Sequence, residues 1–217
     1  MNSNTKVITI SDINSCNIDT NINIDILSDE QRFAYEKYTQ GHNLFITGPG
    51  GTGKTKLIQY FVNFSKNKGD KLQVCAMTGC AAILLECGAT TLHGFSGIGL
   101  ASGTISQVVD RVVKNRHKKP NWAKTELLIV DEVSMLSLKI FTIIDLIAKR
   151  VKRQRDIPFG GMQIIFAGDF YQLPPVGDEE EIETTQFCFE SPLWNEVFPL
   201  TNQIILKTIF RQTDSNY

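Results

Sequence analysis

Eight consecutive residues, Gly48-Pro49-Gly50-Gly51-Thr52-Gly53-Lys54-Thr55, match the phosphate-cradling pattern G-x-x-x-x-G-K-[ST] at every fixed position. Glycines permit a tight turn whose backbone N–H groups converge on an anion, and a following helix adds its positive end. The Lys54 ammonium can then reach the outer phosphates, and the Thr55 hydroxyl can ligate Mg²⁺. The flanks suit this geometry: Leu44-Phe45-Ile46-Thr47 reads as a short buried strand and Lys56 to Phe64 as a helix. The expected ligand is a nucleoside triphosphate with its Mg²⁺.

A second chemical pair follows an apolar run. Leu127-Leu128-Ile129-Val130 delivers Asp131 and Glu132 at its carboxyl end, where open α/β sheets bind ligands. Asp131 is expected to hold Mg²⁺ through water opposite Thr55, and Glu132 to take a proton from an attacking water. A carboxylate over the γ-phosphate suits a hydrolase. A small-molecule kinase must exclude water and needs an acceptor pocket, and none is legible. The third segment is Gly168-Asp169-Phe170-Tyr171-Gln172-Leu173-Pro174-Pro175-Val176. The Gln172 amide can touch the γ-phosphate or the water and report its presence to the prolines that follow. Phe170 and Tyr171 read as packing residues.

These groups need a scaffold. Ser28 with Gln31 has capping-box spacing, and Asp29 and Glu30 suit the first turn of a helix running to about Tyr38. Strands are expected at Leu72 to Met77, Glu126 to Val130, Met162 to Ala167 and Asn202 to Leu206. Helices are expected from near Cys80, over Thr104 to Lys114, over Leu138 to Val151, and after an N-cap at Ser191-Pro192. Gly88 to Ser102, rich in Gly, Ser and Thr, reads as an ordered loop. Strands alternating with helices imply an α/β fold with a mostly parallel sheet covered on both faces. Residues 1–26 read as a biased tail, although Ile22, Ile24 and Ile26 alternate as a strand would.

Composition sets broader limits. The 217 residues are 42% hydrophobic and 21% charged, which suits one globular domain rather than a disordered chain. A net charge of −1 means that any nucleic-acid surface must be local. Five cysteines, none in C-x-x-C spacing, and a polar start without a secretory core read as an intracellular chain with reduced thiols. No apolar run has the length of a membrane span, so no membrane partner is expected.

Taken together, Glu132-Val133-Ser134-Met135 and Gly168-Asp169-x-x-Gln172-Leu173-Pro174-Pro175-Val176 closely resemble the PIF (petite integration frequency) family of DNA helicases. These belong to the 5′-to-3′ branch of superfamily one, beside the RecD-type enzymes. Leu27 to Gln31 resembles the family's adenine-reading segment. Thr78-Gly79-Cys80-Ala81-Ala82 and Thr90 to Gly99 resemble its two DNA-contact segments, and Phe210-Arg211-Gln212 resembles the opening of the linker to a second motor domain. The resemblance implies a RecA-like P-loop NTPase domain over residues 27–205, a linker start at 206–217, and ATP with Mg²⁺ as ligands. It further implies single-stranded DNA as partner and work in DNA repair, recombination and telomere maintenance. Residue by residue, it implies Gln31 at adenine, Arg211 as an arginine finger, and Thr78, Thr91, His93, Phe95 and Ser96 on DNA.

Several of these residues have a plainer reading. Gln31 either reads adenine or completes a capping box, and Arg211 is either a finger or a surface arginine. His93 and Phe95 either stack on bases or anchor the loop. The basic runs Arg111/Lys114/Arg116/Lys118/Lys119 and Lys149/Arg150/Lys152/Arg153/Arg155 are either solvated helix ends or phosphate-facing patches. The family's two motor domains close around ATP, yet this sequence stops at Tyr217. The second motor domain is thus expected from a longer protein or from a partner in trans. The alternative is a nucleotide-switched DNA- or partner-binding module without helicase activity.

Overall fold

The computed structural model describes residues 27–210. Residues 1–26, with the alternating isoleucines, and residues 211–217 lie outside the described region.

In chain order the elements are α1 (Asp29–Thr39), β1 (Leu44–Thr47), α2 (Lys54–Lys68), β2 (Leu72–Ala76), α3 (Gly79–Leu84), β3 (Thr90–Thr91) and α4 (Leu92–Ser96). There follow α5 (Ile105–Lys114), α6 (Lys119–Lys124), β4 (Leu127–Asp131), α7 (Leu138–Lys152), β5 (Gln163–Ala167), α8 (Trp194–Val197) and β6 (Gln203–Ile205). The strands form one six-stranded sheet in the order β3-β2-β4-β5-β1-β6, and every pairing is parallel. All carboxyl ends therefore meet on one rim. The register sharpens this: Ala76 pairs with Asp131, Val130 with Phe166, and Ile46 with Ala167. Asp131 thus stands level with the last residues of β1, one intervening strand away.

Side chains alternate across the sheet and build two cores. Phe45, Leu128, Val130, Ile164 and Phe166 face α5, α6, α7 and α8, where Phe141, Trp194 and Phe198 join an aromatic cluster. Leu44, Ile46, Leu127, Ile129 and Ile165 face α1 and α2, where Tyr38 stacks on Phe61 at 4.3 Å. Strands buried on both faces read as continuous apolar runs.

The helices start where polar caps permit. Ser28 and Gln31 form a reciprocal capping box, as do Thr104 and Gln107, and the Ser137 hydroxyl accepts the Ile140 N–H. Three segments depart from expectation. Within Gly88 to Ser102 the chain makes strand β3 and helix α4, because the Thr91 hydroxyl accepts the Gly94 N–H and starts a turn in spite of the glycine. Helix α6 carries Trp122, which is fully buried and donates to the Ser96 carbonyl at 3.1 Å. Helix α8 begins at Trp194, with Leu193 as its cap, because Ser191 and Pro192 make a turn first.

Asp145 ties the long helix to the entrance of β5. Its buried carboxylate accepts the Phe159 N–H at 2.7 Å and pairs with Lys149 at 2.9 Å. Phe159 has a φ of 49°, which this contact helps to hold. Asp145→Ala is expected to cost about 2–4 kcal/mol by orphaning both donors. Urea unfolding followed by tryptophan fluorescence measures this.

Candidate nucleotide site and adjoining strand-end loops

The loop after β1 has the conformation that its glycines allow. Gly53 has a φ of +80°, and a Cβ there would lie 2.6 Å from the Gln31 Nε2. Lys54 begins α2 and folds its ammonium back over the loop, donating to the Gly48 carbonyl at 2.6 Å and the Pro49 carbonyl at 3.2 Å. Thr52 is buried and donates to the Pro49 carbonyl, whereas Thr55 is exposed in the first turn of α2. Gly50 and Gly51 lie exposed at the top of the turn.

Asp131 ends β4 almost fully buried. Burial pushes its carboxyl up to about 6. The Glu132 N–H that it accepts at 2.9 Å and the Lys54 charge work against that rise. Asp131 and Lys54 thus act on each other across the groove, yet they form no ion pair within 4.0 Å among the described residues. With strands about 4.8 Å apart and β5 between them, the ends of β1 and β4 lie about 10 Å apart along the rim. A buried carboxylate that feels the charge of the loop lysine, with an exposed threonine in the first turn of α2, is a donor set that fits Mg²⁺ bound largely through phosphate and water. Among the described residues no cluster of three His, Cys, Asp or Glu side chains forms a metal cage of its own.

Glu132 is the strained member. Its φ of 58° and ψ of 41° are left-handed, a conformation that costs a non-glycine residue about 1–3 kcal/mol and clusters at functional sites. The turn after β5 explains how it is held. A Cβ on Gly168 would lie 2.9 Å from the Val133 backbone nitrogen, so only glycine allows the two strand-end turns to interlock. Asp169 then organises the third segment: its carboxylate accepts the Tyr171 N–H, and its carbonyl accepts the Gln172 N–H at 2.8 Å. Gln172 is exposed, with its amide 3.4 Å from Asp169. Phe170 packs against Phe45 and Trp194 as expected, but Tyr171 does not pack at all; its ring is fully exposed, because the Asp169 turn directs it outward.

Sequence reasoning missed the anchor of this segment. Lys139 is buried, and its ammonium donates to Glu181 at 2.7 Å, tying the chain beyond the prolines to the start of α7. Asp169 and Gly168 had a signal in the Gly-Asp turn. Lys139 had none, since a lysine early in an amphipathic helix reads as exposed.

Gln31 completes the capping box and makes a second contact that the sequence did not suggest. Its Oε1 accepts the Ser28 N–H, and its Nε2 donates to the Thr52 carbonyl at 3.1 Å. The buried amide thus braces the phosphate loop from α1. The chain returns to the same place after β6: the Phe210 N–H donates to the Gly51 carbonyl at 2.9 Å. Arg211 lies outside the described residues.

The candidate DNA residues sort differently from expectation. Phe95 is buried against Trp122, ring centroids 5.0 Å apart, so it anchors the loop and presents no face to a base. Ser96 is fully buried, and its hydroxyl sits over the His93 carbonyl, out of reach of a phosphate. Thr78 and Thr91 cap α3 and α4, each accepting one backbone N–H, which leaves the O–H to donate outward. His93 is half-buried, and desolvation lowers its pKa, so the ring favours the neutral form.

The sequence profile of the family described as PIF1-like helicase matches residues 26–217. The chain is 39% identical over 175 residues to "ATP-dependent DNA helicase RRM3" of Saccharomyces cerevisiae, covering 80% of this chain and 24% of that protein. The Pif1 helicase structure from Candida albicans superposes with a TM-score of 0.77 at 39% identity, over 86% of this chain and 41% of the other. Bacteroides Pif1 in complex with ADP-AlF3 and single-stranded DNA superposes with a TM-score of 0.70 at 34% identity, over 87% and 44%. This chain belongs to the PIF1-like helicase family. It spans less than half the length of each of these relatives.

Two outcomes test this geometry. Asp131 has a folded pKa above its unfolded value of about 3.9, so its ionisation opposes folding as pH rises through about 6. Asp131→Asn is therefore expected to raise the melting temperature of nucleotide-free protein above pH 6, with no gain below pH 4, and to weaken the Mg²⁺ dependence of nucleotide affinity. Glu132→Gly is expected to stabilise by up to about 1 kcal/mol by relieving the left-handed backbone. Parallel thermal melts and nucleotide titrations read both.

Proposed function

We propose that this domain binds ATP with Mg²⁺ and hydrolyses it, and that in the complete protein this drives 5′-to-3′ movement on single-stranded DNA. The observation that carries the reading is the convergence on one rim of the phosphate loop, buried Asp131 and left-handed Glu132.

Lys54 would exchange its contacts to the Gly48 and Pro49 carbonyls for the outer phosphates. Loop N–H groups and the α2 amino end would hold the inner phosphates. Thr55 and Asp131 would hold the Mg²⁺, which when bound neutralises charge on the β- and γ-oxygens. Glu132 would accept the proton of the attacking water, and Gln172 would orient that water or bond the γ-phosphate. Gln31 keeps the loop shape, with one amide hydrogen and one lone pair left for adenine. Arg211 would add its charge as a finger. For DNA, His93 would supply a partly accessible ring, and Thr78 and Thr91 would donate their O–H to phosphate oxygens. A second motor domain, in the same protein or in trans, would complete the cleft and permit translocation. Repair, recombination and telomere maintenance are the processes in which such an activity would serve.

The test is an ATPase assay with and without oligothymidylate. Glu132→Gln is expected to keep nucleotide affinity while slowing turnover by about 10²–10⁴-fold, the usual worth of a general base. Lys54→Ala is expected to weaken triphosphate binding with little change in the melting temperature of nucleotide-free protein. Equal background rates in wild type and Glu132→Gln, with DNA or without, would instead identify a nucleotide-switched binding module.

A further inference from the structure

The two basic runs differ in how many of their charges are paired and in what holds the backbone that carries them. In the second run Lys149 pairs with Asp145 and Arg150 with Asp110, while Lys152, Arg153 and Arg155 pair with no carboxylate among the described residues. In the first, none of Lys114, Arg116, Lys118 and Lys119 pairs with a carboxylate among the described residues. Yet this run is not a loose helix end. The Asn115 side chain accepts the N–H groups of His117 at 2.9 Å and Lys118 at 3.1 Å, which closes a tight turn. The Lys118 stem packs against Gly97, where a Cβ would lie 2.6 Å from it, and its ammonium donates to the Gly94 carbonyl. Trp122, just beyond, donates to Ser96. The turn is thus fixed to α4, the helix that carries His93. Arg116 and Lys119 remain exposed on this turn.

We propose that residues 115–119 form a phosphate-binding extension of the single-stranded DNA track, with Arg116 and Lys119 on successive backbone phosphates. The inference rests on the DNA reading of the α4 segment and adds a contact outside the motifs that suggested it. A protein of net charge −1 that leaves these cations without carboxylate partners, on a hydrogen-bonded turn beside the candidate strand path, has concentrated positive potential there. The polyanion that runs along a strand-end loop and needs no sequence recognition is a nucleic-acid backbone. Lys118 has the separate task of fixing the turn.

The experiment is fluorescence anisotropy of labelled oligothymidylate with the whole chain, from about 50 to 200 mM salt, the range over which phosphate contacts are lost steeply. Arg116→Gln/Lys119→Gln is expected to weaken binding roughly tenfold and to make the log–log salt slope shallower by about 1.4, at about 0.7 per phosphate on a single strand. Arg116→Lys/Lys119→Arg is expected to restore both. Arg153→Gln/Arg155→Gln, in the other run, is expected to change neither. Melting temperature and nucleotide affinity, unchanged in all three, exclude misfolding. If His93→Ala weakens binding while the 116/119 glutamine pair keeps wild-type affinity and slope, this inference falls and the DNA reading stands. If wild type fails to bind at the lowest salt, both fall.

Discussion

The approach of Gly168 to the Val133 backbone is the contact on which the rest of the site depends. Adjacent parallel strands β4 and β5 end at the same level, so the turns that follow them compete for one volume. A glycine in one turn lets the other enter, and Glu132 is then held in a left-handed backbone well. Strain of this kind persists only when its surroundings over-determine it. Here Val133 and Leu136 are buried, the Leu136 carbonyl accepts the Cys188 N–H, and the Ser137–Phe187 bridge closes the next layer. The position of the acid is consequently a property of packed backbone rather than of one side-chain rotamer. The Ser134 hydroxyl in this turn is buried and has no hydrogen-bond partner among the described residues.

Charge is arranged with equal economy. Asp131 and Lys54 feel each other, but neither neutralises the other. The lysine rests on loop carbonyls, contacts that a phosphate oxygen can replace one for one. The carboxylate keeps only a backbone N–H and bears the desolvation that a cation would relieve. Had the two formed a buried ion pair, a ligand would need to break it, and breaking such pairs is expensive. On the proposed reading, burial of the acid without a paired lysine or arginine would be a form of preorganisation: the folded state carries a modest electrostatic cost that metal binding would remove.

The sequence made the strands, the phosphate loop and the acid pair legible because each is written locally: an apolar run, a glycine spacing, a capping box. Leu127 to Asp131 and the Ser28/Gln31 box follow from neighbours in the chain. What was not legible depends on distant partners. Phe95 and Ser96 look available in a polar, glycine-rich stretch, and only Trp122, 26 residues beyond Ser96, takes them into the core. Tyr171 looks like a packing aromatic until the Asp169 turn points it outward. Lys139 looks like a surface charge until Glu181, 42 residues later, covers it. Helix α4 arises from one threonine hydroxyl against the low helix propensity of glycine, a tertiary choice that composition cannot foresee.

The same rim joins the two candidate surfaces. The Met77 N–H donates to the Asp131 carbonyl, Thr78 follows at once, and Ala76 pairs with Thr91 on its other side. Asp131 and both threonine caps thus belong to one hydrogen-bonded lattice in the centre and edge of a parallel sheet. On the proposed reading, a metal ion held at Asp131 would act on Thr91 by a route other than a bend of these paired strands. Adjacency by itself is no proof of coupling; a two-state element is required. The candidate element is the segment from Tyr171 to Val176, in which Tyr171, Leu173 and Val176 are exposed although apolar. Gln172 lies at one end of it, with its amide 3.4 Å from Asp169, and Lys139 with Glu181 fixes the chain beyond its other end. A stretch anchored at both ends, stiffened by two prolines and exposing three large side chains, can move as a unit against whatever covers it. Communication between nucleotide and DNA on the proposed reading then passes over the rim, through this segment, rather than along the sheet.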